Sequence, residues 1–352
     1  ASYGDFIYVI TGNGTDWSRS NIPSPNAADL VCLNKNTGAI VWEDNSPGKN
    51  ILFGEFASPL VIEIGGVAQV IAPQGDGWVR SFEAETGKLL WKFDINRKSA
   101  RRHFDRNFFV NSAVFYQGRV YVACGQDREA GEGPGRLACL DPTKRGDISL
   151  EIEDQPGVAK PNPNSGAIWH FDEFGRSMTS VAIHEGLVIA VDLSGYVYCL
   201  DAVTGQRYWR HDTRAQVWAS PLIADGKIYV GNEDGYLDVL AHAKEKKLVA
   251  HHEFTGPIYS SPIFANGVLY IAQNDYLFAI REEARKAPST LEPSRISDWP
   301  QWRGPDRSNA SRETGLLEQW PEEGPPLLWT INGLGLGIHT VSIVGGRVFA
   351  TG

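Results

Sequence analysis

Cys199-Leu200-Asp201-Ala202-Val203-Thr204-Gly205-Gln206-Arg207-Tyr208-Trp209 decides the fold, because the chain repeats it. Cys32–Trp42 (CLNKNTGAIVW) and Ser81–Trp91 (SFEAETGKLLW) align with it without gaps. Each reads as a small residue, an apolar one, an acid or amide, then Thr-Gly, then Trp four residues after the Gly. Ahead of such units stands a second family: Ala57–Val61 (ASPLV), Asn111–Phe115 (NSAVF), Thr179–Ile183 (TSVAI), Ala219–Ile223 (ASPLI) and Ser260–Phe264 (SSPIF), with a weaker copy at Thr340–Val344. A third follows it: Gly118–Val122 (GRVYV), Gly226–Val230 (GKIYV), Gly267–Ile271 (GVLYI) and Gly346–Ala350 (GRVFA).

The starts at 179, 219 and 260 lie 40 and 41 residues apart. That is the period of a four-stranded propeller blade, about 40–50 residues. Short β-branched and aromatic runs separated by Asp225-Gly226, Asn266-Gly267, Asp234-Gly235 and Asp76-Gly77 read as antiparallel strands joined by tight turns. Helical repeats of similar period need apolar residues at i, i+3 and i+4, which the Val/Ile/Tyr alternation excludes. The expected fold is an all-β propeller of four-stranded antiparallel blades. Within a blade the Ser-Pro run is the innermost strand, Gly-x-apolar-Tyr the second, the run ending in Leu-Asp the third, and the Trp-bearing run the outer strand. The Trp column is expected to plug the gaps between blades, since burying an indole is worth several kcal/mol, on the order of 3 or more.

Six blades are nearly complete and a seventh is partial. Residues 1–281 are expected to hold blades, the first lacking its first strand. Residues 282–326, rich in Pro, Glu, Arg and Ser, read as an irregular arm, and 327–352 as a closing outer strand plus a partial blade. The chain begins at Ala1 and has one Met, Met178, so it reads as a processed or excerpted chain. Its 33 Lys+Arg against 42 Asp+Glu, a net charge of −9, argue against a nucleic-acid partner. No run approaches the ~18 apolar residues of a membrane span. Four cysteines without a CxxC exclude a disulfide scaffold and a structural zinc site. Cys32, Cys139 and Cys199 fill the small-residue column, while Cys124 and Cys139 could face each other across two strands of one blade. His251-His252 point to opposite faces of a strand and cannot share a metal.

The Asp-x-x-Thr-Gly-x-x-x-Trp motif resembles the pyrroloquinoline-quinone-like (quinoprotein alcohol dehydrogenase-like) β-propeller family, whose usual ring has eight blades. Asn45–Asn50, Gly75–Trp78, Gly125-Gln126-Asp127, Asp141–Asp147 and Trp299–Pro305 (WPQWRGP) are similar to phrases of the secreted propellers of planctomycete-type bacteria. There the last phrase opens the propeller. Here it follows the sixth blade, so the chain is expected to be incomplete or permuted relative to that family, or to join parts of two tandem propellers. The resemblance implies a periplasmic or secreted location.

The family divides over function. Thr11–Trp17 resembles the quinoprotein dehydrogenase stretch in which the residue matching Asn13 ligates calcium under the quinone. The resemblance also implies an Asp base shortly after Trp42, a basic quinone contact near Gly75 and a disulfide of adjacent cysteines. Ser46–Asn50 holds no carboxylate, Gly75 is not basic, and no two cysteines are adjacent. The favoured reading is therefore a non-catalytic scaffold without cofactor that binds a protein, peptide or glycan, as in the similar outer-membrane assembly lipoproteins. The alternative is a PQQ- and calcium-dependent alcohol or sugar dehydrogenase. Candidate binding residues lie outside the outer Trp column: Asn13, Trp17, Trp78, Arg101, Arg102 and Trp218. The insertion Gln126–Ser165 is a further place where function can lie, since long loops on rigid scaffolds carry it.

Overall fold

The computed structural model describes residues 1–100, 105–125, 134–155, 157–281, 298–317, 320–321, 324–335 and 340–350. They form two compact units, Ala1–Ser180 and Val181–Gly352.

The first unit holds three four-stranded antiparallel blades, a short strand added to the second of them, and a two-stranded hairpin. Blade 1 runs Ser2–Tyr3, Phe6–Ile10, Leu30–Asn34 and Ile40–Asp44. The sequence reading gave this blade no first strand. The structure corrects it, pairing Ser2 with Ile7 and Tyr3 with Phe6. Blade 2 runs Leu60–Ile64, Val67–Pro73, Trp78–Glu83 and Leu89–Asp94. Blade 3 runs Val114–Tyr116, Arg119–Cys124, Arg136–Leu140 and Ala167–Phe171. The second unit holds blade 4 (Ala182–His184, Leu187–Val191, Tyr196–Asp201, Arg207–Asp212) and blade 5 (Leu222–Ala224, Lys227–Gly231, Tyr236–Ala241, Leu248–Glu253). Blade 6 follows (Ile263–Ala265, Val268–Ala272, Tyr276–Ile280, Leu327–Asn332), then a two-stranded hairpin, Ser342–Val344 with Arg347–Phe349. The second strands of blades 4, 5 and 6 are almost wholly buried.

All six blades break register at one place, between the small residue and the apolar residue of the third strand. Just before the break the small residue faces the outer-strand aromatic: Cys32 faces Trp42, Ser81 Trp91, Cys139 Trp169, Cys199 Trp209 and Ala279 Trp329. In blade 5 the pair is Val239 with Ala250, larger against smaller, which fills a similar space. The column is small because an indole lies opposite it, and the bulge twists the outer strand.

The indoles reach into the next blade. Trp42 Nε1 donates to the Ala84 carbonyl at 2.9 Å and Trp209 Nε1 to that of Ala243 at 2.8 Å. Trp91 uses a relay: its Nε1 donates to Gln69 Oε1 at 3.0 Å, and Gln69 Nε2 donates to the Pro142 carbonyl at 3.2 Å. Pro142 holds the repeat position of Ala84. Second-strand tyrosines back the same rings, with Tyr8–Trp42, Tyr121–Trp169 and Tyr270–Trp329 centroids 5.8, 5.9 and 5.9 Å apart. The repeat glycine makes room: a Cβ on Gly87 would lie 2.6 Å from the Trp42 ring, whereas one on Gly38 would meet nothing within 4 Å.

Both long insertions end as extra strands. Within 126–165, Gly146–Asp147 pairs in parallel with Trp91 and Lys92 on the outer edge of blade 2. Ile148 enters the core beside it, and Glu151–Gln155 with Val158–Pro161 forms a solvent-facing hairpin. The arm proposed at 282–326 is not wholly irregular. Ala310–Ser311 pairs in parallel with Ile223 and Ala224 of blade 5. Trp299 bridges to Ile343, and Glu313 accepts from the Asn266 and Gly267 amides at 2.8 and 2.7 Å. The arm thus ties the first-strand sides of blades 5 and 6 and the terminal hairpin together.

Cys124 lies opposite Arg136 and Cys139 opposite Tyr121, so the two do not face each other. All four thiols are free and buried, and burial pushes them up to about 11 for Cys32 and Cys139 and about 12 for Cys124 and Cys199.

Two outcomes are expected. Gly87→Ala loses about 2–3 kcal/mol in urea unfolding, from overpacking plus left-handed backbone strain, and Gly38→Ala only about 1. Equal losses would remove the inter-blade role of Gly87. A thiol-specific dye should label no cysteine of the native protein and all four once it is unfolded, because the reactive thiolate is suppressed.

Candidate partner-binding surface

The segment from Thr11 to Ala28 links the second and third strands of blade 1 as a loop docked on residues 51–58. Gly14 and Gly54 form an antiparallel bridge, and the Thr15 amide and hydroxyl donate to the Phe53 carbonyl at 2.8 and 3.1 Å. The Glu55 amide donates to the Asn13 carbonyl at 3.0 Å. Asp16 closes the tip: its carboxylate accepts from the Ser18 amide at 2.9 Å and from the Ser18 hydroxyl. Those bonds hold the Asp16 carboxyl below its ordinary range.

On this fixed loop Trp17 is fully exposed, at 104% of its reference area. Phe56 is 51% exposed, its ring 5.6 Å from Phe53 and 6.5 Å from the buried Phe108. The Arg19 guanidinium lies 4.6 Å from the Phe53 centroid. Arg19, Phe53 and Phe56 thus form an aromatic patch, and Trp17 stands in water two residues before Arg19 on the same loop, a composition enriched in protein-contact hot spots. Sequence reading found Trp17 but not Arg19, Phe53 and Phe56. The available signal was Ile51–Phe56, an apolar run that fits neither strand pattern.

Beneath the loop lies a buried polar layer. Asn13 Nδ2 donates to Asp29 Oδ1 and to the Ser24 carbonyl, both at 3.1 Å, and its Oδ1 accepts from the Gly14 amide at 3.0 Å. Asn13 is therefore a loop clamp. Asp29 is fully buried with Oδ2 unbonded, and burial pushes its carboxyl up to about 6. Glu55 accepts from the Gly75 amide at 2.9 Å, and burial raises its carboxyl well above the usual range.

The other candidates do not join this surface. Trp78 is half-buried, with the Lys98 and Lys92 ammonium groups 4.5 and 4.7 Å from its ring centroid. Cations of its own chain already use the ring. Trp218, in the second unit, donates to Glu233 at 3.1 Å and meets Tyr259 edge-on. Arg101 and Arg102 lie outside the described residues.

These residues do not fit the quinone alternative. A Cβ on Gly75 would lie 2.3 Å from the Gly54 carbonyl oxygen, so no basic side chain can project there without moving backbone. Gly48–Asn50, where the base is required, is a 3-10 turn bearing no carboxylate. Among the described residues no group of three or more His, Cys, Asp or Glu is placed to hold a metal ion.

Asp29 makes stability pH-dependent. Its folded pKa lies above the ordinary value near 4, so the neutral acid is the form the fold favours. Its contribution is complete below about pH 4 and is lost as pH rises through about 6. Asp29→Asn should match the parent at pH 4 and exceed it by about 2 kcal/mol at pH 8, read from urea midpoints. A constant difference across pH would remove this role.

A family profile described as outer membrane protein assembly factor BamB matches residues 154–255. The outer membrane protein assembly factor BamB of Xanthomonas campestris pv. campestris is 25% identical over 181 residues, 45% of this chain and 42% of that protein. The match thus spans less than half of that relative's length. The crystal structure of BamB from Moraxella catarrhalis superposes with a TM-score of 0.52 at 18% identity, covering 79% of this chain and 67% of that one. The shared fold and the matched repeats support placing the chain with the PQQ-like β-propellers.

Proposed function

We propose that the chain is a non-catalytic propeller scaffold that binds a protein partner in an exported compartment, with Trp17, Phe56 and Arg19 as its contact surface. The observation that carries this reading is the full exposure of Trp17 on a loop pinned through Gly14 and Gly54. An indole left in water on a rigid loop gains nothing for folding, and it offers a partner a large apolar area already ordered. The similarity to proteins named as outer membrane assembly factors supports a protein as the partner over a glycan or small molecule. No helix among the described residues is long and apolar enough to cross a membrane. The misfit at Gly75 and at Gly48–Asn50 leaves the quinone alternative without support.

The test is site-specific photo-crosslinking in the periplasm of a Gram-negative host. A benzophenone side chain at position 17 should trap a discrete protein, and one at Val203, which is 53% exposed in the second unit, should not. Against the trapped protein, Trp17→Ala with Phe56→Ala should weaken binding by about tenfold or more. Equal crosslinking from both positions would overturn the reading.

A further inference from the structure

Blade 6 ends in Leu327–Asn332 (LLWTIN), and this outer strand differs from the other five. Blade 1 carries Glu43 and Asp44 on its outer strand, blade 2 Lys92 and Asp94, blade 3 His170, blade 4 Arg207, Arg210 and Asp212, and blade 5 two histidines and Glu253. Such ionisable side chains blunt a sheet edge against pairing. Leu327–Asn332 has none. Leu327, Leu328 and Ile331 are 51%, 43% and 49% exposed, and among the described residues the strand pairs only with Tyr276–Ile280.

Two further observations say what occupies such an edge. The equivalent edge of blade 2 is occupied within this same chain, where Gly146–Asp147 pairs in parallel with Trp91 and Lys92. The outer edge of a blade in this chain therefore can accept an added strand, as blade 2 does. In addition, a cavity of about 390 Å³ opens beside the start of the strand, lined by His252, Phe254, Phe278, Pro325 and Leu327, with Glu253 and Thr255 as its polar side chains. Phe254 meets Phe278 edge-on at 5.1 Å and His252 at 4.9 Å, so the walls are aromatic. Burial holds the His252 imidazole below its ordinary range.

We infer that Leu327–Asn332 and this cavity form a strand-addition site for an extended partner peptide carrying a bulky apolar anchor. Main-chain hydrogen bonds to the open edge supply affinity, and the cavity selects the anchor. This division of labour is the general logic of peptide capture by sheet edges. The inference deepens the protein-binding reading and rests on it, but it assigns a second surface, in the other unit.

The probe is a capped nonapeptide of alternating Thr and Val with a central Trp, titrated calorimetrically against the full chain. Binding should weaken at least about tenfold on methylating alternate peptide amides, which keeps the side chains and blocks strand pairing. It should weaken similarly when the peptide Trp becomes Ser, and in Ile331→Lys and Leu327→Glu proteins with unchanged thermal midpoints. No binding, or equal affinity for the methylated peptide, would overturn the inference. Binding that survives Ile331→Lys but is lost in Trp17→Ala would overturn it while leaving the first surface standing.

Discussion

The contact on which the rest of the molecule depends is the pairing of a small third-strand residue with an outer-strand indole. A Cys, Ser or Ala lets the ring lie across the sheet, the register break beside it turns the strand, and in blades 1 and 4 the ring reaches the next blade. There the indole finds a turn carbonyl to accept its N–H, as Ala84 does for Trp42 and Ala243 for Trp209. A buried Trp without a partner would carry a desolvation cost of about 1–3 kcal/mol. One motif therefore serves three purposes: filling the blade, bending its edge and joining neighbours.

A scaffold joined in this way holds loops in place without needing them for its stability. The Thr11–Ala28 loop rests on blade 1 and residues 51–58, so its tip can leave an indole in water. The polar layer beneath it belongs to the same division. Asn13 donates to Asp29, and Glu55 accepts from the Gly75 amide, so these polar side chains hold the loop and the turn beside it. Gly75 lies against the Gly54 backbone, so the space a cofactor contact needs is filled. The same residue types in a shared fold thus perform structural work.

The insertions show a second constraint, that open sheet edges seek partners. Gly146–Asp147 covers part of the outer edge of blade 2, and Ala310–Ser311 covers part of the first-strand edge of blade 5. Composition marked both segments as irregular, because two-residue strands carry no alternation to read. Their pairing is decided by where the chain passes, and Ile148 is buried because it passes the core of blades 2 and 3.

Repeat spacing, strand order and the role of the Trp column were legible from the chain alone, because a period of about 40 residues and a Thr-Gly turn before each Trp are local patterns. The site was legible only in part. Trp17 and Trp78 look alike in sequence, both aromatic residues beside turn signals. Only packing separates them, with Lys92 and Lys98 drawn to one ring and nothing drawn to the other. The same holds for Cys124 and Cys139, which share a blade but are offset along it because register depends on strand pairing. Sequence by itself determined the propeller class, since side-chain alternation and turn chemistry act over a few residues. Tertiary structure decided which aromatics face water and which sheet edge stays open, since exposure depends on what distant segments cover.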